Sequence, residues 1–443
     1  MLEELKIANF KLFDEQGVTI RPGKITILIG VNGTGKSSVL HALFLLKNSN
    51  GTTHLVTSGP GLNLGSFEDV VHLRETDRRI MMGLSVSYSD FAIAWPMNPP
   101  FPTTGRYNYD VEFSQDGTVS RNRGKIGDLD HELFGEWTPQ NEFVRPKEWD
   151  FLGGSFKITF SASSLVSNPI TVGGTTTAHS TYSVPIPPAP EKAEEINNKV
   201  NRLLTTVRQL LEVSDFISVV RGFTQKGYHV YEQLPTPAHM SGSGPDLQAG
   251  AIANLLLYDP DLANDIVKWL KMVLPDREIR GLRPRLQNGP TAAVELLTDR
   301  QRINLINEAF GLNQITVALA QIASIPAGAV IGIEEPEIHL HPRAQAALTG
   351  VFTEIAVKGQ KQLILTTHSE HILMGFLSAV ARGELSPDDL AVYEFRREGT
   401  ASRVERLEVN SYGQIEGGLR GFMEVDLHEL DDLVKARFRP AHR

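Results

Sequence analysis

The chain has no cysteine. That excludes a disulfide framework, a thiolate metal site and a cysteine nucleophile, and it makes a reducing compartment the expected setting. Long apolar runs are missing as well. No stretch of about 18 uncharged apolar residues occurs, and the N-terminus, Met1-Leu2-Glu3-Glu4-Leu5-Lys6, lacks the basic-then-apolar order of a secretory leader. A soluble, cytoplasmic protein with no membrane attachment is expected. Sustained heptads are absent, so no long coiled-coil arm is expected. Positive charge is also short: 43 Lys and Arg against 52 Asp and Glu give a net charge of −9. Coating of DNA by bulk charge is therefore disfavoured, although a local basic groove is not. What the chain does have is 41% hydrophobic residues over 443 positions, enough for one large core or two ordinary ones.

The most informative segment is Ile25-Thr-Ile-Leu-Ile-Gly-Val-Asn-Gly-Thr-Gly-Lys-Ser-Ser38. A buried-strand run breaks into the pattern Gly30, Gly35, Lys36, Ser37 and opens a helix. Such glycines let successive backbone N–H groups point inward at an anion, and the helix adds the positive end of its dipole. This is a nucleotide phosphate cradle, formed by Gly30, Asn32, Gly33, Thr34, Gly35, Lys36, Ser37 and Ser38. Lys36 would reach the β- and γ-phosphates, and the Ser37 hydroxyl would enter a Mg²⁺ shell.

Strand patterns precede this loop at Leu5 to Phe10 and Val18 to Ile20. The helix after it, Ser37 to Leu46, has little polar face and should pack on a sheet. Arg79 to about Phe160 reads as β-rich, with a turn at Asp116-Gly117, and suits an antiparallel lobe flanking the nucleotide. A Ser/Thr/Gly/Pro-rich segment, Ser161 to Pro190, reads as a loop or linker between two halves. Glu191 to Leu211 has helical period. Ala251 to Leu257 and Leu262 to Val273 read as helices, Arg280 to Leu297 as a strand pair, and Arg302 to Ile325 as a helical region.

Two further strands end in chemistry. Ala329 to Ile333 is an apolar run tipped by Glu334-Glu335-Pro336-Glu337. Adjacent strand residues face opposite ways, so Glu334 is assigned to the metal side and Glu335 to the general base. An exposed acidic turn is the alternative. His339 and His341 follow, for which capping and packing compete with a metal role, and Pro342 suits the first turn of a helix. Gln362 to Thr367 ends in His368-Ser369, a polar group at a strand's C-terminal end where open α/β sheets bind ligands. His368 would bond the γ-phosphate or orient the attacking water.

Together with Ile7-Ala-Asn-Phe-Lys-Leu-Phe13 and Asn32, the runs Ile333 to Pro342 and Thr366 to Ser369 resemble the ABC-type ATPase heads of the SMC, RecF and OLD group. The resemblance covers roughly residues 1–90 and 215–430. It implies an α/β fold: an ABC-type P-loop ATPase head with a mixed sheet and an antiparallel β-lobe, plus an inserted, partly helical region. The implied division is 1–90 and 215–425 for the two parts of the head, 91–214 for the insertion and 426–443 for a tail. It also implies Mg²⁺-ATP sandwiched between two copies, a homodimer or higher homo-oligomer. Glu308 to Gln314 resembles a degenerate signature segment, so that Gly311 or Asn313 would offer an N–H to a phosphate across the interface. Leu64 to Asp69 takes the place of the loop linking nucleotide to effector lobe, without its glutamine. Phe216 to Gly222 resembles a strand-to-arginine segment in which Arg221 serves the site or pairs with an acid.

The chain is also similar to the ATPase subunits of prokaryotic defence modules such as Septu and PARIS. The leading expectation is an ATPase with Lys36, Glu335 and His368 as catalytic groups and Ser37 and Glu334 as metal ligands. It would couple closure to DNA sensing or to control of a separate effector, a nuclease or toxin, since no nuclease motif is found here. An ATP-switched scaffold that assembles a partner without touching DNA is the alternative. For DNA the candidate basic clusters are Arg74, Arg78 and Arg79; Arg121, Arg123 and Lys125; and Arg277, Arg280, Arg283 and Arg285.

Overall fold

The computed structural model describes residues 1–49, 54–59, 62–88, 105–115, 117, 119–127, 132–137, 157–158, 182–183, 207–232, 245–286 and 290–418. Its centre is a six-stranded sheet in the order Asp215–Ile217, Val330–Glu334, Gln362–Thr366, Ile25–Ile29, Leu390–Glu398, Ala401–Leu407. The first five strands are parallel and the last is antiparallel. The three apolar runs read from the sequence are thus neighbours: Glu334 pairs with Thr366, and Thr366 with Leu28. Their C-terminal tips lie at one edge, as parallel register requires.

Each central strand is apolar on both sides because both faces are covered. Ile25, Ile27, Ile331, Ile333, Leu363 and Leu365 face one core, made with the helices Pro245–Tyr258, Pro260–Val273, Phe310–Ser324, Pro342–Val357 and Glu370–Ala381. Leu28, Val330 and Ile364 face the other, shared with the helix Lys36–Ser49 and an antiparallel sheet. That second sheet runs Val18–Ile20, Leu2–Ala8, Ile80–Tyr88, Gly105–Phe113, Val119–Gly127, Glu132–Trp137. Gln362 joins the two sheets. Its side chain accepts from the Leu2 N–H at 3.0 Å and donates to the Leu2 and Gly23 carbonyls at 2.8 and 2.9 Å.

The mixed sheet and antiparallel lobe match the expected fold class. The lobe continues through Trp137 in one sheet with Leu2–Ala8. The Arg302 to Ile325 stretch is not helical throughout: Arg302–Asn304 adds to the edge of Thr291–Thr298, and the helix begins at Phe310. Three residues of edge strand are too short to show a period of their own. The expected strand pair appears as Ile279–Leu286 with Thr291–Thr298. Of the helix expected over Glu191 to Leu211, residues 207–213 are described and helical. Within Ser161 to Pro190 only Tyr182–Ser183 is described, paired with Lys157–Ile158, and residues 426–443 lie outside the described residues. Among the described residues no helix is long and apolar enough to cross a membrane.

Candidate nucleotide site

The glycine loop leaves the central strand with three left-handed residues, Gly30 (φ 140°), Gly33 (φ 74°) and Gly35 (φ 95°). Gly30 is also sterically obligatory, because a Cβ there would lie 2.4 Å from the Phe395 carbonyl oxygen. At Gly33 nothing lies within 4 Å of that position, so the loop is open on this side. The Thr34 hydroxyl donates to the Val31 carbonyl at 2.8 Å, and Ser402 donates to the Thr34 carbonyl at 2.5 Å. Ser402 thereby props the loop from the neighbouring hairpin. Asn32 is exposed at the loop's tip, and Ser38 is buried in the first turn of the helix. Lys36 is buried, and its ammonium donates to the Gly30 and Val31 carbonyls at 2.8 and 3.0 Å. Burial lowers its pKa to about 8, against the pull of Glu335 and Glu337.

The carboxylate strand brings its tip to this loop. Burial pushes the Glu334 carboxyl upward, but hydrogen bonds from His41 and Ser37 and a backbone bond from Val219 outweigh it and hold the group below the usual range. His41 Nε2 stands 3.4 Å from Glu334 Oε1, and the Lys11 ammonium lies 2.7 Å from His41 Nδ1. An ammonium has only donors, so Nδ1 accepts, the ring proton sits on Nε2, and His41 donates to Glu334. The sequence reading passed over His41, although four residues after Ser37 on a helix is the same face. Lys11, half-buried and lowered by desolvation to about pKa 8, went unassigned within the Ile7 to Phe13 run.

Glu335 is left-handed at φ 39°, a conformation costing a non-glycine residue roughly 1–2 kcal/mol. Its neighbours hold it there. Its N–H donates to the Thr366 carbonyl at 3.0 Å, and its carbonyl accepts from Arg221 Nη2 at 2.9 Å. The half-buried Glu335 carboxylate lies 3.5 Å from His368 Nε2 at the exposed edge of the histidine strand. Burial lowers the His368 pKa, helped by Lys36 and opposed by Glu335, so the ring is neutral near pH 7. Glu337, raised by burial, accepts from the Thr367 hydroxyl at 2.5 Å and the His368 N–H at 3.1 Å. It sets the position of the histidine's backbone, a role its place in the acidic run did not announce.

The remaining candidates divide. Gly311 is buried at the start of the helix Phe310–Ser324, where a Cβ would meet the His339 carbonyl oxygen at 2.3 Å. Asn313 is committed within the chain: its N–H donates to the Ala309 carbonyl, and its side chain clamps the Phe223 N–H and carbonyl at 2.7 and 2.9 Å. His341 caps the helix Pro342–Val357, with Pro342 in its first turn, and His339 packs edge-on against Phe310 at 4.9 Å. Leu64 to Asp69 is held by a Ser66–Asp69 capping box, by the Asp69–Arg74 ion pair, and by Thr57, which accepts from the Leu64 N–H at 2.9 Å and donates to the Gly65 carbonyl. Ser218 to Gly222 reaches the acidic tip from the flank, because its strand Asp215–Ile217 pairs directly with Val330–Glu334 and Arg221 donates to the Glu334 and Glu335 carbonyls.

The residues fit a Mg²⁺-nucleotide. Three glycines free the loop backbone to bind an anion, a buried cation stands beside it, and a hydroxyl and carboxylate are joined at its mouth. Among the described residues no group of three or more His, Cys, Asp or Glu could hold a metal alone. A Mg²⁺ here would take few protein oxygens and complete its shell from phosphates and water.

A glycine loop after the central strand, facing an acidic tip and a histidine tip across a mixed sheet with an antiparallel lobe, defines an ABC-type ATPase head. The chain belongs to the family described as AAA ATPase domain, which matches residues 1–126 and 177–373. Among solved structures it is similar to an SMC head bound to the C-winged helix domain of ScpA, with 11% identity, TM-score 0.49, and coverage of 93% of this chain and 98% of that one. It is also similar to the SMC head domain from Thermotoga maritima, with 12% identity, TM-score 0.42, and coverage of 92% and 99%. An Smc head domain with an extended coiled coil, bound to the C-terminal domain of ScpA derived from Pyrococcus furiosus, aligns at 12% identity and TM-score 0.42, covering 98% and 99%. No curated protein matches.

Proposed function

We propose that this chain is a Mg²⁺-dependent ATPase that closes head to head with a second copy and uses that closure to hold and release a separate effector protein. The observation that carries the reading is the meeting of Lys36, Glu334, Glu335 and His368 from three neighbouring strand tips. When bound, ATP supplies the scissile phosphoanhydride and Mg²⁺ neutralises its charge. The loop backbone of Gly30 to Gly35 and the Lys36 ammonium hold the phosphates, and Ser37 with Glu334 holds the metal. Glu335 takes the proton of the attacking water at Oε1, and the neutral His368 orients that water or senses the terminal phosphate from Nε2. The protein's contribution is positioning and charge stabilisation. Gly311 is proposed to face the nucleotide of the second copy.

An effector is favoured over DNA as the object of control. Arg74, Arg78 and Arg79 are paired with Asp69, Glu75 and Glu112, and three of the four arginines in the last cluster, Arg277, Arg280 and Arg285, with Glu308, Asp299 and Glu295, while Arg283 is exposed. Arg121, Arg123 and Lys125 fall on the strand Val119–Gly127, of which the backbone is described. The resemblance to the Septu and PARIS subunits supports a defence setting with a nuclease or toxin as effector. Glu335→Gln tests the chemistry: ATP binding is retained, turnover falls by a factor of about 100 or more, and the closed pair accumulates. Unchanged turnover would remove Glu335 from its role.

A further inference from the structure

Arg221 is 4% exposed, and among the described residues its guanidinium bonds backbone: Nη1 donates to the Ser218 and Glu334 carbonyls at 2.8 and 2.9 Å, and Nη2 to the Glu335 carbonyl at 2.9 Å. A planar guanidinium holds its donors in a rigid fork, so two nitrogens can serve separate carbonyls of one strand tip at once, a geometry that the single nitrogen of a lysine does not reproduce. Two residues on, Phe223 is held at both its N–H and its carbonyl by the Asn313 side chain. Gly222 between them is left-handed (φ 132°), and a Cβ there would touch Asn313 Oδ1 at 3.4 Å. The start of the helix Phe310–Ser324 is thus joined through Asn313, Phe223 and Arg221 to the backbone of Glu335. A second contact runs in parallel, with Phe310 against the His339 ring and Gly311 against the His339 carbonyl. Phe310 itself is 59% exposed, on the end of the helix that the proposed second copy would press.

We infer that Arg221 is a positioning residue that ties the Glu335 tip to the start of the helix Phe310–Ser324, so that docking on that helix sets the carboxylate facing His368. The inference rests on the proposed ATPase reading for its purpose, but the mechanical link can be read without nucleotide.

Hydrogen exchange of the full-length chain, wild type against Asn313→Ala, is followed in peptides covering residues 333–340. Loss of the clamp is expected to speed exchange there by about tenfold, while the strand Gln362–Thr366 keeps its protection. Unchanged exchange at the tip overturns the link. In steady-state assays Arg221→Lys is expected to lower kcat by about 100-fold while ATP affinity stays within about threefold, a split that general loosening of the fold would not give. If the two residues act as one device, the double variant loses no more turnover than the worse single variant; independent, multiplying losses overturn the inference. Should Arg221→Lys fail to fold, Asn313→Ala decides by the same split: lowered kcat with kept affinity supports the link, and unchanged kcat rejects it. A wild-type chain without ATP binding or turnover would end the ATPase reading, whereas the exchange result would still decide the link.

Discussion

At the scale of single residues, the site depends on groups whose charge is set by neighbours several elements away. In the proposed function Lys36 holds phosphate only as an ammonium, and burial brings its pKa to about 8. The binding form is therefore present below pH 8 and is lost above it. ATP affinity is expected to weaken by about tenfold between pH 7 and pH 9, read by fluorescence titration at constant Mg²⁺; flat affinity across that range would show that another group carries the phosphate. Lys36, Ser37, Glu334, Glu335 and His368 were legible from the sequence because each follows a strand or turn whose pattern is local. His41, Lys11, Glu337 and Ser402 were not. Their partners lie on other elements, so no spacing in the chain announces Lys11 next to His41 or Ser402 under Thr34.

At the scale of elements, one strand glycine governs how closely the phosphate-loop helix approaches the sheet. A Cβ at Gly332 would stand 2.9 Å from Phe44 Cε2 and 3.0 Å from Leu40 Cδ2. Gly332→Val is expected to destabilise the fold by about 1–3 kcal/mol through overpacking, measured by denaturant unfolding, and to weaken ATP binding because the loop rides on that helix. A variant as stable as wild type would mean the helix can shift freely. The elements themselves were largely readable, since continuous apolar runs of five residues reported buried parallel strands. The short edge strand Arg302–Asn304 escaped, and Phe216 to Gly222 was read as a strand running to Arg221 without its place beside Val330–Glu334. Both depend on which strands become neighbours, and that is long-range information.

At the scale of the whole molecule, the proposed closure places the exposed Phe310 against a second copy. Phe310→Ala in a Glu335→Gln background is expected to abolish the ATP-dependent doubling of mass in light scattering while leaving ATP affinity within about twofold, since the substitution removes exposed interface area and the contact with the His339 ring but no group proposed to hold the nucleotide. A pair that forms as before would move the contact elsewhere. Direct DNA control makes a separate demand. Phosphate contacts released by salt would cost about 10³-fold or more in affinity between 50 and 200 mM salt, and binding that ignores salt, or none, leaves the effector as the object of control.

Local order along the chain was enough to determine the phosphate loop, the acidic tip, the histidine tip and the class of fold, because each is written in residues near one another and in the periodicity of buried strands. Which tips stand side by side was decided only in three dimensions, by parallel pairing of Val330–Glu334, Gln362–Thr366 and Ile25–Ile29. So was the withdrawal of Asn313 into the interior, where burial obliges an amide to satisfy its hydrogen bonds on the nearest backbone, here that of Phe223.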